Sequence, residues 1–372
     1  MTEENGQAGG NGAATQTNVP AAQLTKKDFT SDQEVRWCPG CGDYAVLAAV
    51  QSFMPELGVP RENIVFVSGI GCSSRFPYYM NTYGMHGIHG RAPAIASGLA
   101  ITRRDIQVWV VTGDGDGLSI GGNHLIHALR RNMNLKILLF NNEVYGLTKG
   151  QYSPTSREGM VTKSTPFGSV DRAFNPVSLA LGAESTFVAR TLDADRKQMA
   201  ETLRAMASHK GSAFVEIYQN CNVYNDGAFD ILKSRGGRAA NWIPLVHGEK
   251  VIFGEDKEKG VVFEDGHARV ARIDEVGIDR VVSHDAYRDD PSLAFALSRL
   301  SHNPTGPTPM GVFRAIEAPT YDELVDQQVV AATEKLGTGD LEALLQSGDT
   351  WEAPDRRAGG DPTYAGPERR GA

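Results

Sequence analysis

Two cysteines, Cys38 and Cys41, stand on either side of a Pro-Gly turn in the segment VRWCPGCGDY. A C-x-x-C pair of this kind can form a redox dithiol, half of a zinc site or half of an iron–sulfur site. The choice depends on the other thiols, and the chain has only two more, Cys72 and Cys221. Four cysteines among 372 residues are too few for a disulfide scaffold, so we expect them to act as ligands or catalysts.

The two remaining cysteines each follow an apolar segment that is typical of a buried strand. Cys72 follows NIVFVSGIG, and Cys221 ends the segment GSAFVEIYQNC. Four thiolates that converge at the ends of such strands would suit either a [4Fe–4S] cluster or a structural Zn²⁺. A redox dithiol is disfavoured because it would leave Cys72 and Cys221 unexplained, and inert packing is the alternative for those two thiols.

A second group of polar residues follows two other apolar segments. Asp114 lies in the G-D-G that follows IQVWVVT, and Asn142 ends the segment LKILLFNN. If these two strands are adjacent, parallel and joined by one helix, Asp114 and Asn142 lie side by side at one edge of the sheet. A carboxylate, an amide oxygen and a nearby main-chain carbonyl would form a site for Mg²⁺ carrying a diphosphate. A generic nucleotide-type turn is the alternative.

These residues require an α/β framework. Between about residues 34 and 220, apolar strands alternate with helix-like segments such as YAVLAAVQSFM and HLIHALRRN. This alternation predicts a parallel sheet with helices on both faces and with ligands at the carboxyl ends of its strands.

Composition sets the domain boundaries and excludes some functions. A net charge of −8 without dense Lys/Arg runs argues against nucleic acid as the main partner. The absence of a secretory signal or a long apolar run predicts a cytoplasmic protein without a membrane partner. We expect disordered tails at 1–30 and 353–372, a cofactor-binding domain at 31–234, and a C-terminal extension of small strands and helices at 235–352.

The segment from GDGDG to NNEVYGLTKGQ resembles the signature of thiamine diphosphate enzymes. The resemblance implies a thiamine diphosphate-binding domain of the diphosphate-binding type. It also implies that Asp114, Asn142 and the carbonyl of Val144 bind Mg²⁺. The residues expected along the diphosphate are Gly115, Asp116, Gly146 and Leu147.

Together with WCPGCG, GIGCS and HGIHGRA, these motifs resemble the β subunit of 2-oxoacid:ferredoxin oxidoreductases over about residues 34–225. The family resemblance implies that His89 contacts the diphosphate and that Ile70, Gly71, Cys72 and Ser73 border the thiamine. It favours one [4Fe–4S] cluster over zinc, because a cluster beside a thiamine-bound substrate can accept single electrons and d¹⁰ zinc cannot. The implied cluster ligands are Cys38, Cys41, Cys72 and Cys221.

The resemblance also implies a reaction and partners. Lys149 in YGLTKGQ matches relatives of the 2-oxoglutarate and broad-specificity types. Its ammonium could pair with the distal carboxylate of a dicarboxylic substrate or orient the 2-oxoacid group. The expected reaction converts 2-oxoglutarate and coenzyme A into succinyl-CoA and CO₂ while ferredoxin is reduced. Thiamine enzymes need a glutamate from a second domain, so we expect activity only with a larger α subunit, as α2β2. The alternatives are a pyruvate or broad-specificity enzyme of the same family and a non-catalytic, zinc-bound scaffold subunit.

Overall fold

The computed structural model describes residues 24–301 and 305–351. Residues 24–30, which lie inside the expected N-terminal tail, include a short 3-10 turn at Lys26–Phe29. Its Phe29 side chain is fully buried, because an aromatic ring of this size gains more from apolar contacts than from water. The rest of that tail and the expected tail at 353–372 lie outside the described residues.

The strands of the described residues are mostly short and apolar. Their bounds are β1 (Ile64–Ser68), β2 (Tyr83–His86), β3 (Gln107–Gly113), β4 (Lys136–Asn141), β5 (Val144–Tyr145), β6 (Gln151–Tyr152), β7 (Phe187–Leu192), β8 (Ala213–Tyr218), β9 (Trp242–Leu245), β10 (Ile252–Phe253), β11 (Lys259–Glu264), β12 (His267–Arg272) and β13 (Thr308–Ala315).

Helices alternate with these strands through the first two thirds of the chain. Their bounds are α1 (Asp43–Phe53), α2 (Phe76–Tyr79), α3 (Ala92–Thr102), α4 (Asp114–Leu118), α5 (Gly122–Arg130), α6 (Pro176–Gly182), α7 (Arg196–Ser208), α8 (Asp230–Lys233), α9 (Arg235–Asn241), α10 (Ile273–Val276), α11 (Ser292–Ser298), α12 (Tyr321–Leu336) and α13 (Leu341–Leu345). No helix of the described residues is long and apolar enough to cross a membrane.

The central sheet has eight strands in the order β2-β1-β3-β4-β8-β7-β13-β9. The first six strands in this order (β2, β1, β3, β4, β8 and β7) are mutually parallel. Strand β13 pairs antiparallel with β7. This mostly parallel sheet confirms the predicted α/β class.

Two hydrophobic clusters cover the two faces of the sheet. Successive residues of β3 alternate between them: Val108 and Val110 belong to one cluster, whereas Trp109 and Val111 belong to the other. Side chains of a strand point alternately to opposite faces, so continuous burial along β3 requires apolar cover on both. Helices α3 and α5 contribute to the first cluster, and α1 and α7 contribute to the second.

The connection between β3 and β4 differs from the single helix that the sequence predicted. It contains α4 and α5, because the helix that begins at Asp114 ends where Ser119 leaves the helical region, with a ψ of −106°. The two strands are nevertheless adjacent and parallel, with Gly113 paired to Phe140. The residues that follow them therefore meet at the same edge of the sheet.

The segment that was expected as a C-terminal extension contributes to two sheets. Strands β9 and β13 complete the central sheet, whereas β10, β11 and β12 form a separate antiparallel sheet. The predicted small strands and helices are therefore present. By its internal contacts the chain divides after Val325, and the unit from Asp326 contains the rest of α12 together with α13.

Candidate cofactor and metal site

A cavity of about 450 Å³ lies at the carboxyl ends of β1, β3 and β4. Its volume is within the range of small-molecule sites. The structure brings into its wall every residue that was predicted to contact thiamine diphosphate or Mg²⁺: Ile70, Gly71, Cys72, Ser73, His89, Asp114, Gly115, Asp116, Asn142, Val144, Gly146 and Leu147.

Asp114 is a buried carboxylate with hydroxyl partners. Its side chain is 3% exposed, and its Oδ2 accepts hydrogen bonds from Ser153 Oγ at 2.5 Å and Thr155 Oγ1 at 2.6 Å. Burial raises the pKa of Asp114 to about 6, although the two hydroxyl donors lower it. A buried carboxylate of this kind gains from a nearby cation, because the cation offsets the cost of removing its charge from water.

Asn142 and Val144 supply further oxygens on the same wall. Asn142 Oδ1 accepts a hydrogen bond from the main-chain N–H of Val144 at 3.2 Å, and Asn142 Nδ2 donates to Gln219 Oε1 at 3.0 Å. Between them Glu143 adopts a left-handed conformation with a φ of +58°, and its carboxylate pairs with Arg157 Nε at 3.1 Å. Ser156 Oγ donates a hydrogen bond to the carbonyl of Glu143 and so holds the main chain of this turn. The turn presents the side-chain oxygen of Asn142 and then the main-chain oxygen of Val144.

Asp116 binds neighbouring loops of the protein through its carboxylate. Its Oδ1 accepts hydrogen bonds from the main-chain N–H of Ile70 at 3.0 Å, the main-chain N–H of Gly90 at 2.7 Å and Nδ1 of His89 at 2.7 Å. Its Oδ2 accepts a hydrogen bond from Thr112 Oγ1 at 2.7 Å. The carboxylate thus holds in place the loops that carry two other residues of the wall, Ile70 and His89, and leaves Nε2 of the imidazole available for a ligand.

The three segments that carry the four thiols are joined by hydrogen bonds. Trp37 Nε1 donates to the carbonyl of Cys72 at 2.7 Å, and the main-chain N–H of Gly42 donates to the carbonyl of Asn220 at 3.0 Å. Asn222 Nδ2 donates to the carbonyl of Pro39, inside the C-x-x-C turn, at 2.6 Å. These contacts bring the C-x-x-C segment, Cys72 and the Cys221 loop together.

The thiols border the cavity at Gly146. A methyl group on Gly146 would lie 3.3 Å from Sγ of Cys72 and 3.7 Å from Sγ of Cys221. Both sulfur atoms therefore lie next to Gly146, and Gly146 and Cys72 both line the cavity that contains the oxygen ligands. A redox group held by these sulfurs would lie directly beside a ligand in the cavity.

Burial opposes a free thiolate at this position. It raises the pKa of Cys72 to about 12 and raises the pKa of Cys41 still further, and charge on the neighbouring thiols acts in the same direction. Loss of the proton from either of these two thiols is therefore unfavourable unless a cation lies nearby. A positively charged iron centre would stabilise the thiolates.

Lys149 lies outside the wall of the cavity. It is exposed on the turn between β5 and β6, with a φ of +77°, next to the lining residue Thr148. The structure thus places its main chain near the cavity without bringing the ammonium into the wall.

Several residues of the site have no clear signal in the sequence. Ser153 and Thr155 reach Asp114 from the segment that follows β6. The ring of Tyr145 lies against Gly115, where an added methyl group would clash with Cε1 of the ring. Gln219 contacts both Asn142 and Cys41, and only its place two residues before Cys221 could have drawn attention to it.

The donor sets suit the implied cofactors. One carboxylate, one amide oxygen and one carbonyl are hard oxygen ligands for Mg²⁺, and four cysteines are the ligand set of a [4Fe–4S] cluster. Among the described residues, no three His, Cys, Asp or Glu side chains meet closely enough to hold one metal ion. A cluster distributes its four cysteines over four irons, so the cysteine sulfurs need not meet at one point. The expected Mg²⁺ ligands include only one side chain of these four residue types, that of Asp114.

Comparisons with known proteins identify the family. Residues 69–217 match the model of the C-terminal TPP-binding domain of thiamine pyrophosphate enzymes. The chain is 62% identical over 327 residues to 2-oxoglutarate oxidoreductase subunit KorB of Mycobacterium tuberculosis, a match that covers 87% of each chain. It is 46% identical over 227 residues to the β subunit of 2-oxoacid:ferredoxin oxidoreductase 1 of Aeropyrum pernix. That match covers 60% of this chain and 70% of the relative.

A solved structure agrees with this assignment. The 2-oxoglutarate:ferredoxin oxidoreductase of Magnetococcus marinus, with 2-oxoglutarate, coenzyme A and succinyl-CoA bound, matches with a TM-score of 0.68 and 33% identity. The match covers 88% of this chain and 97% of that one. The chain belongs to the β subunits of the 2-oxoacid:ferredoxin oxidoreductase family.

Proposed function

We propose that this chain is the β subunit of a 2-oxoglutarate:ferredoxin oxidoreductase, which converts 2-oxoglutarate and coenzyme A into succinyl-CoA and CO₂ while ferredoxin is reduced. The observation that carries the proposal is the position of the Cys72 and Cys221 sulfur atoms next to Gly146, which lines a cavity that also contains the oxygen ligands. The similarity to KorB and to the Magnetococcus marinus enzyme supports 2-oxoglutarate as the substrate.

Three bound groups would share this site. Asp114, Asn142 and the carbonyl of Val144 would hold Mg²⁺, and the cavity would hold thiamine diphosphate. The cysteines at 38, 41, 72 and 221 would hold one [4Fe–4S] cluster. When bound, thiamine diphosphate supplies an electron sink for decarboxylation, and the cluster supplies one-electron transfer.

The protein's own residues position these groups. Asp116 holds His89 and the main chain of Ile70 at the cavity, so that the imidazole Nε2 can contact a diphosphate. Ser153 and Thr155 hold Asp114 through its Oδ2. Prior orientation of this kind lowers the entropy cost of assembling the reactive complex.

The active enzyme would contain a second chain. The relatives are named as β subunits, and the glutamate that activates the thiamine aminopyrimidine in such enzymes is expected from a larger α subunit, in an α2β2 assembly. Ferredoxin and coenzyme A would be its other partners. Oxidative decarboxylation by this chain without its partner would contradict the assembly.

Anaerobic co-expression with the α subunit tests the proposal. We expect a brown protein with about four irons per β chain that reduces ferredoxin when 2-oxoglutarate and coenzyme A are both present. A colourless protein with one zinc per chain and no reductase activity would instead indicate a scaffold subunit. Faster turnover with pyruvate than with 2-oxoglutarate would reassign the substrate.

Lys149→Ala tests the basis of substrate choice. If the ammonium pairs with the distal carboxylate, the substitution raises KM for 2-oxoglutarate about tenfold, because a charge-assisted contact is lost, and leaves KM for pyruvate unchanged. Lys163→Ala provides a control, since it removes another exposed lysine. An equal rise for both substrates would show that Lys149 does not distinguish them.

A further inference from the structure

Gln219 connects the two halves of the site. It follows β8 directly, two residues before Cys221, and its side chain is 1% exposed. Its Nε2 donates hydrogen bonds to the carbonyl of Asn220 at 2.7 Å and to Sγ of Cys41 at 3.2 Å. Its Oε1 accepts a hydrogen bond from Nδ2 of Asn142 at 3.0 Å. One amide therefore contacts a proposed cluster ligand and a proposed Mg²⁺ ligand.

The hydrogen bonds of Gln219 determine the orientation of Asn142. The carbonyl of Asn220 can only accept a hydrogen bond, so the nitrogen of the Gln219 amide must face it. Gln219 Oε1 then faces Asn142, which must present its NH₂ group to that oxygen. Oδ1 of Asn142 is consequently on the other side of its amide group, where it accepts from Val144 and can serve as a ligand to Mg²⁺.

The same amide acts on the sulfur of Cys41. A hydrogen bond to a charged acceptor is stronger than one to a neutral acceptor, and each added electron makes the cluster sulfurs more negative. An N–H donor at Cys41 therefore stabilises the reduced cluster more than the oxidised one. Hydrogen bonds to the sulfurs are one of the properties that set the reduction potential of an iron–sulfur cluster.

We propose that Gln219 is a positioning residue shared by the two cofactor sites: it orients Asn142 toward Mg²⁺ and raises the reduction potential of the cluster through Cys41. This inference rests on the proposed function, because it assumes that the thiols hold a cluster and that Asn142 holds Mg²⁺. Electron acceptance by the cluster and retention of thiamine diphosphate thus depend on one buried side chain.

The test uses Gln219→Met in the α/β enzyme, purified anaerobically. Methionine has a similar length and removes all three hydrogen bonds of the amide. We expect the equilibrium constant for one-electron reduction of the cluster to fall about tenfold, or ~59 mV in an EPR-monitored redox titration. Binding of thiamine diphosphate with Mg²⁺, followed by quenching of protein fluorescence, should weaken about three- to tenfold, because Asn142 loses the contact that fixes its amide.

Gln219→Glu separates the two effects. A carboxyl oxygen can still accept from Asn142, so affinity for thiamine diphosphate should stay within about twofold of wild type. A carboxyl group supplies at most one hydrogen, whereas the amide donates one to Asn220 and one to Cys41. If the carboxyl group is ionised, its negative charge also opposes reduction of the cluster. The reduction potential of the cluster should therefore fall at least as far as in the Met variant. This second variant also gives the answer if Gln219→Met does not assemble.

Gln51→Met provides the matched control. Gln51 is another buried glutamine, on α1, but its Nε2 donates to the carbonyl of Tyr79 at 2.9 Å rather than to a sulfur. Its loss should leave the potential within about 10 mV, less than a twofold change in the equilibrium constant. Gln219 variants with four irons and an unchanged potential would overturn the inference, as would a shift of equal size in Gln51→Met. Wild-type protein without iron would instead overturn the proposed function, before any variant is compared.

Discussion

Replacement of Asp116 tests how the cavity is built. The carboxylate accepts four hydrogen bonds, of which two come from the main-chain N–H groups of Ile70 and Gly90. Asp116→Ala removes every acceptor at once. A donor left without a partner in a buried position costs ~1–3 kcal/mol, so the two main-chain groups together predict a loss of ~2–6 kcal/mol in the free energy of unfolding.

Asp116→Asn should be much milder. The amide oxygen can still accept from Ile70, Gly90 and His89, and the amide nitrogen can donate to the hydroxyl of Thr112. Only the strengthening that a charged acceptor gives is lost, which predicts a decrease of ~1–2 kcal/mol.

Urea unfolding followed by tryptophan fluorescence measures both variants. It is carried out without added cofactors, so that changes in their binding do not contribute. Asp105→Ala is the control, because Asp105 is an exposed carboxylate that pairs with Arg103 and should contribute little to stability. The reasoning is refuted if Asp116→Ala loses less than ~1 kcal/mol, or if Asp116→Asn loses as much as Asp116→Ala.

Three further predictions concern the interior and the metal sites. Between pH 3.8 and about 6 the folded chain keeps a proton on Asp114 that the unfolded chain has released, so metal-free stability should fall as pH rises across this window. Affinity for Mg²⁺ should rise over the same window and level off above it in a binding titration, and a flat profile would contradict this assignment. Arg190→Met leaves the fully buried Glu216 without its cation and should destabilise the protein by ~3–5 kcal/mol in urea unfolding, whereas Arg190→Met with Glu216→Gln should recover most of that loss. A double variant as unstable as the single one would argue against that account. Cys221→Ser should lower the iron content well below four per chain on anaerobic purification, and retention of all the iron would remove Cys221 from the ligand set.

The sequence alone located the residues that follow β1, β3, β4 and β8. Each strand is a short apolar run, and parallel strands covered on both faces bring their carboxyl ends to one edge of the sheet. That rule was sufficient to predict that Asp114, Asn142, Cys72 and Cys221 lie near one another. The same local reasoning predicted the fold class, because burial on both faces is visible as uninterrupted hydrophobicity.

Tertiary structure decided which side chains touch. The hydroxyls that hold Asp114 come from residues 39 and 41 positions further along the chain, and Gln219 reaches Cys41 across 178 positions. The entry of β9 and β13 into the central sheet is likewise a long-range pairing. Hydropathy patterns record which face of an element is buried, but a hydrogen bond between distant loops depends on how those loops pack against each other. The sequence therefore determined which edge of the sheet carries these residues, and only the folded chain determined that the amide of Gln219 contacts both Asn142 and Cys41.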